Sequence, residues 1–182
     1  MTTVVPTPDT RIPRREEYLA VTVEQALAQF ARLIDERTAE VAGGWAGRVT
    51  TVIGVFLAAI EADPQRAWRC LVDPVEDSLR VNEARRDLRD RLVTAIEHGA
   101  PGTEEGPDAP SWAAGAVGSL WELGARRLTV GDDAVGIDDV AGSVAFLVLA
   151  PRLGADEATR LTRSGPKPSR LDVRWPAVDG RR

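Results

Sequence analysis

"GWAGRVTTVIGVFLAAIEADPQRAWRCLVD", residues 44–73, is the stretch whose reading decides the fold. Val49, Val52, Ile53, Phe56, Leu57 and Ile60 recur at three- and four-residue steps, the spacing that stacks side chains on one face of an α-helix. The stripe stops at Asp63-Pro64, where Asp63 is placed to cap a new helix and Pro64 to take its first position, since a proline there gives up no hydrogen bond. That short helix carries Trp68 and Leu71. Two helices meet here across one turn.

Upstream, residues 1–14 hold Pro6, Pro8 and Pro13 without periodicity and read as a disordered leader. A long helix then starts at about Arg15, with Leu19, Val23, Leu27, Phe30, Ile34 and Val41 as its apolar positions. Glu16 and Glu17 fall where a helix dipole favours negative charge, and Gly43-Gly44 closes the element. Downstream, Asp73-Pro74 repeats the capping device and opens a helix through Val75, Leu79, Leu88, Leu92 and Ile96 to His98-Gly99. A polar loop over 99–110 leads to "SWAAGAVGSLWELGARRL", a helix of small residues that its glycines weaken. "GIDDVAGSVAFLVLAPRLG" follows, apolar around most of its circumference, and a short helix is expected at 155–163. From Ser164 the chain is proline-punctuated and reads as a mostly disordered tail, residues 164–182. No alternating two-residue run persists long enough for a sheet. The expectation is an all-α antiparallel bundle of about seven helices over residues 15–163.

Of 182 residues, 43% are hydrophobic and 28% charged, which suits one globular domain. The formal net charge is −5, and among 23 basic residues only Lys167 is a lysine. No basic cluster matches a phosphate backbone, so direct nucleic-acid binding is not expected. Cys70 is the sole cysteine and excludes an internal disulfide framework. Without a leader peptide pattern, and with apolar stretches judged too short for a bilayer, the expected setting is the cytoplasm, away from the membrane.

Chemistry is sparse. His98 is the only histidine and precedes a helix-ending glycine, a position suited to capping. No His-Cys spacing offers a metal site, and no G-x-S-x-G elbow surrounds Ser119 or Ser143, so neither a metal, a cofactor nor enzymatic activity is expected. "GDDAVGIDD", residues 131–139, lacks calcium-loop spacing, and its Asp138 and Asp139 fall in the first turn of the next helix. "NEARRDLRDRL", residues 82–92, alternates charge with i,i+4 pairs such as Asp87 and Arg91, the pattern of a solvated face.

The order of elements resembles the C-terminal, effector-binding and dimerising domain of TetR-type transcriptional regulators. "AFLVLAPRLGADEATRL", residues 145–161, is similar to the family's penultimate helix, proline, small-residue turn and short last helix. Residues 44–73 resemble the segment in which a tryptophan-led helix meets a short one through Asp-Pro, and the likeness covers roughly 12–163. "IPRREEYLAV" resembles the junction after the family's recognition helix, yet Met1–Arg11 has no room for a helix-turn-helix. A start assigned too late, a lost reader, or a reader supplied by a partner would each account for that.

The resemblance implies a pocket for a small apolar effector among the helices. Phe30, Phe56, Trp68 and Trp121 are its aromatic candidates, with Cys70 and Glu122 as polar contributors. The plainer reading makes Phe30 and Phe56 core residues and Cys70 a small buried hydrophobe. The resemblance also implies a homodimer through the helices near 111–128 and 136–151. The residues agree independently: Gly115, Gly118, Gly142 and Ser143 permit close approach, and Val117, Leu120, Val144 and Val148 supply apolar area. Two functions follow. One is a ligand-sensing, homodimerising domain of a TetR-like regulator without its own DNA reader; the other is an interaction module that pairs with full-length regulators and has no pocket. A cavity beside Trp68 and Trp121 speaks for the first, and a packed centre with an exposed apolar face on the last two long helices for the second.

Overall fold

The computed structural model describes residues 11–41, 44–73, 78–102, 112–130 and 135–175. Seven α-helices are described, α1 (Arg11–Ala39), α2 (Gly44–Ala62), α3 (Pro64–Leu71), α4 (Leu79–Glu97), α5 (Trp112–Val130), α6 (Ile137–Leu153) and α7 (Ala155–Ser164), with a 3-10 turn at Pro168–Arg170. There is no strand among the described residues, so the all-α expectation holds.

Helix α2 is the axis of the molecule. Every residue from Val52 to Ile60 is buried, and α2 packs on α1, α4, α5 and α6. By length and composition α2 could cross a bilayer, against the expectation that no stretch could, but 67% of that span is covered by the rest of the protein. Burial all round is what a core helix of this composition requires. The Asp63-Pro64 turn forms as read: the Asp63 side chain accepts from the Arg66 N–H at 2.9 Å, and Pro64 starts α3.

Two helix starts differ from the sequence reading. Helix α1 starts at Arg11, one turn early, because Pro13 lies in the first turn, where a missing N–H costs nothing. Glu17 therefore stands beyond the first turn, where the dipole effect has faded. Of the expected leader, residues 1–10 lie outside the described residues. Helix α4 begins at Leu79 rather than after Asp73-Pro74, and Ser78 is its cap, accepting from the Val81 N–H at 3.3 Å. Residues 74–77 lie outside the description, while His98 and Gly99 end α4 as expected, with Gly99 at φ +76°.

The solvated-face reading of residues 82–92 is also corrected. Arg85 is buried and donates to the carbonyls of Cys70 (2.8 Å), Asp73 (3.0 Å) and Arg69 (3.3 Å), so its guanidinium satisfies the C-terminal end of α3. Arg91 pairs with Asp35 of α1, and Arg89 lies 4.2 Å over the Trp121 ring. Three of these arginines therefore join α4 to other helices.

The largest departure is the tail. Residues 165–175 run back along the bundle instead of leaving it, and Val173 is buried. Leu171 lies against Gly54 of α2, where an added Cβ would come within 3.2 Å of its Cδ1. Ser169 donates to Asp138 of α6 from its N–H (3.0 Å) and Oγ–H (2.8 Å). The tail's apolar residues, Leu171, Val173 and Trp175, alternate, and this short period carries no helical signal. Residues 176–182 lie outside the description.

Candidate functional site

Helix α5 carries two stripes. Ala113, Val117, Leu120, Trp121 and Gly124 face inward and are buried, while Gly115, Ser119 and Leu123 follow one another at four-residue steps on the outward side. Gly124 serves the packing of α5 on α2: a Cβ there would meet Ile60 Cδ1 at 2.7 Å and Phe56 Cε1 at 3.2 Å. Gly115, Gly118 and Gly142 differ, because a Cβ on any of them would meet nothing within 4 Å. Within the described fold, their small size serves no contact.

Helix α6 lies beside α5 and adds Val140, Val144, Leu147 and Pro151 to the same face. Leu147 is 71% exposed and Leu123 39%. Two grooves flank them and share Leu123, Val144 and Leu147 as a common wall. One, of about 540 Å³, runs past Trp112, Gly115, Ser119, Val148 and Arg152. The other, of about 310 Å³, runs past Leu57, Arg126, Val130, Val135 and Val140. Of six large hydrophobic side chains exposed among the described residues, Leu123, Val130, Val135 and Leu147 border this face. Its rim is cationic. Arg152 stacks 5.1 Å over Trp112 and donates to the Gly102 carbonyl at 2.9 Å, and Arg127 pairs with Glu61 at 2.7 Å.

Of the residues expected at a dimer contact, Gly115, Gly118 and Ser143 are exposed, Gly142 is half-buried, and Val144 and Val148 are buried core residues, at 6% and 4% exposure, whose edges line the groove. Val117 and Leu120 are corrected: at 2% and 1% exposure they belong to the core of the bundle. They lie well round α5 from Gly115, about 160° for Val117 and about 140° for Leu120 at roughly 100° per residue, whereas Leu123, only three residues past Leu120, sits at the edge of the buried stripe. Sequence reasoning missed Leu123, Leu147 and Trp112. The signal was present as a second apolar stripe on α5, offset from the first.

The expected pocket residues divide. Phe30, Phe56 and Trp121 come together, with ring centroids 6.0 Å apart for Phe30–Phe56 and 6.1 Å for Phe56–Trp121. Both phenylalanines are fully buried, so these rings fill the centre of the bundle. Trp68 is half-buried on α3 with no ring contact to this cluster among the described residues. Glu122 is exposed, a correction that follows from its place on α5, one residue past the inward-facing Trp121. Cys70 is buried, and burial pushes its thiol up from 9.0 to about 12 despite Arg66 and Arg85, so it is an unreactive hydrophobe at neutral pH.

A fourth ring, unforeseen from the sequence, extends the cluster. Trp175 lies 5.0 Å from Phe30 and donates its indole N–H to the Ala59 carbonyl at 2.8 Å. Among the described residues no group of three acidic, histidine or cysteine side chains could hold a metal ion. No family model matches the chain, and comparison with curated proteins and with solved structures finds no match either.

Proposed function

We propose that this chain is a dimerising interaction module of the TetR-regulator type, pairing with a second copy of itself through α5 and α6. The observation that carries the reading is the Leu123–Leu147 ridge standing proud between two grooves. A ridge with a groove on either side is self-complementary under a two-fold axis, the symmetry most soluble homodimers adopt, because each copy's ridge can enter the other's groove. Gly115, which lines one groove and where a Cβ would meet nothing within 4 Å, is where two backbones would approach closely; Gly142 lines a separate groove between α6 and α7. The aromatic filling of the centre favours interaction over sensing in a large interior pocket. The helix order and the Asp-Pro junction support the regulator type, and DNA contact would fall to a reader outside residues 11–175.

Sedimentation velocity from 1 to 100 μM tests this, with wild type expected to shift from monomer to dimer as concentration rises. Burial of one leucine side chain contributes about 1.5–3 kcal/mol, counted twice across a two-fold interface. Leu147→Glu is therefore expected to weaken association at least about hundredfold. Its helical circular dichroism should be unchanged, since the side chain is 71% exposed in the subunit. A wild-type chain that stays monomeric throughout overturns the proposal.

A further inference from the structure

Trp175 is seated in a notch of the bundle. One wall is the Phe30 ring, and the polar point is the Ala59 carbonyl in the last turn of α2. Helix ends leave carbonyls under-satisfied, and the helical partner of this one, the Asp63 N–H, stands off at 3.4 Å while the indole N–H sits at 2.8 Å. The stronger bond belongs to the tail. An aromatic face beside a single directed acceptor is the chemistry that recognises a flat ring bearing one N–H donor.

The segment that delivers Trp175 is held by side chains more than by backbone hydrogen bonds. Between Gly165 and Trp175 its backbone bonds among the described residues are Arg170 N–H to Lys167, Leu171 N–H to Pro168 and Val173 N–H to Leu171. Its anchors to the bundle are the Ser169–Asp138 pair, the Arg37 bond to the Asp172 carbonyl, the buried Pro168 of the 3-10 turn that packs on α2 and α6, and the side chains of Leu171 and Val173. A stretch without a helical or sheet ladder opens locally at a small fraction of the cost of global unfolding. Trp175 itself remains half-buried, so the notch communicates with solvent.

We infer that this notch is a binding site for indole-class molecules, planar aromatics with a ring N–H, and that Trp175 is its resident occupant in cis. A ligand of this class displaces the tail, and release of Ser169 from Asp138 carries the event to the first turn of α6. The site is independent of dimerisation: a monomeric chain would still bind.

The test uses the full wild-type chain labelled with 5-fluorotryptophan, whose five resonances are followed by ¹⁹F NMR as indole is added to 10 mM. Trp175→Phe identifies the Trp175 signal. Expected are saturable movement of that resonance to its solvent-exposed position and at least tenfold faster hydrogen exchange at Leu171 and Val173, with core amides of α2 unchanged. N-methylindole, which lacks the donor, is expected to bind at least tenfold more weakly. A Trp175 resonance and strap exchange unmoved by indole overturn the inference, as does indole binding confined to Trp175→Ala, which would report only an engineered cavity. Equal binding of N-methylindole removes the role of the Ala59 carbonyl and overturns the class assigned.

Discussion

Replacing Gly115 with alanine should stabilise one subunit and weaken the pair. Within the subunit the new Cβ meets no atom within 4 Å, so there is no steric cost to set against the gain in helix propensity. That gain is about 0.8–1 kcal/mol, which corresponds to a rise of roughly 2–4 °C in Tm for a chain of this size. In the proposed dimer the added methyl would lie in the groove that receives the other copy's ridge. Overpacking a close contact costs about 1–3 kcal/mol per site, so two copies give about 2–6 kcal/mol, a Kd at least roughly thirtyfold weaker. One substitution thus moves two observables in opposite directions. Thermal melts at dilutions where both proteins are monomeric report the first, because ligand and subunit linkage would otherwise mix them, and sedimentation equilibrium reports the second. Gly124→Ala is the contrast: its Cβ would lie 2.7 Å from Ile60 Cδ1, so the fold itself should lose about 1–3 kcal/mol. If Gly115→Ala raises Tm and leaves association unchanged, the glycine faces water and the pairing geometry argued from it is wrong.

Arg85→Met should cost about 3 kcal/mol, since three carbonyls at the end of α3 lose a charged donor at once, and urea denaturation at neutral pH measures it. Cys70 should be inert to a thiol reagent at pH 8 in the native chain and react stoichiometrically in guanidinium. Because folding raises its pKa from 9.0 to about 12, the proton is held more tightly in the native state. The associated stability is full below pH 9 and is lost as pH rises toward 12, a decline that denaturant melts across that window should follow. Asp138 has the opposite sign: the Ser169 N–H and hydroxyl hold its carboxyl below the ordinary 3.8. The tether is intact above that value and weakens as pH falls through the lowered pKa, so hydrogen exchange at Ser169 should accelerate there ahead of the core. Exchange that stays flat to pH 2 would contradict it.

Helix positions were legible in the sequence because the signal is local. The stripe from Val49 to Ile60 and the Asp63-Pro64 cap follow from periodicity and proline chemistry, whatever surrounds them. The candidate site was half legible. Gly115 and Gly142 stood out as small residues in helices, but Val117 and Leu120 could not be told from Leu123, since all three are apolar and only the neighbouring helix decides which side is inside. Arg85 shows the same limit with charge: amid alternating acids and bases it read as solvated, and only the arrival of the α3 terminus gives its guanidinium three acceptors.

The sequence by itself determined seven helical elements and their main stops, because propensity and capping act over a few residues. Tertiary structure decided which apolar stripe was buried and which was left bare, and it returned a tail that looked disordered to the bundle. Trp175 has no periodic partner in its own segment; its partners, Phe30 and the Ala59 carbonyl, lie more than a hundred residues away in the chain, and only folding brings them to it.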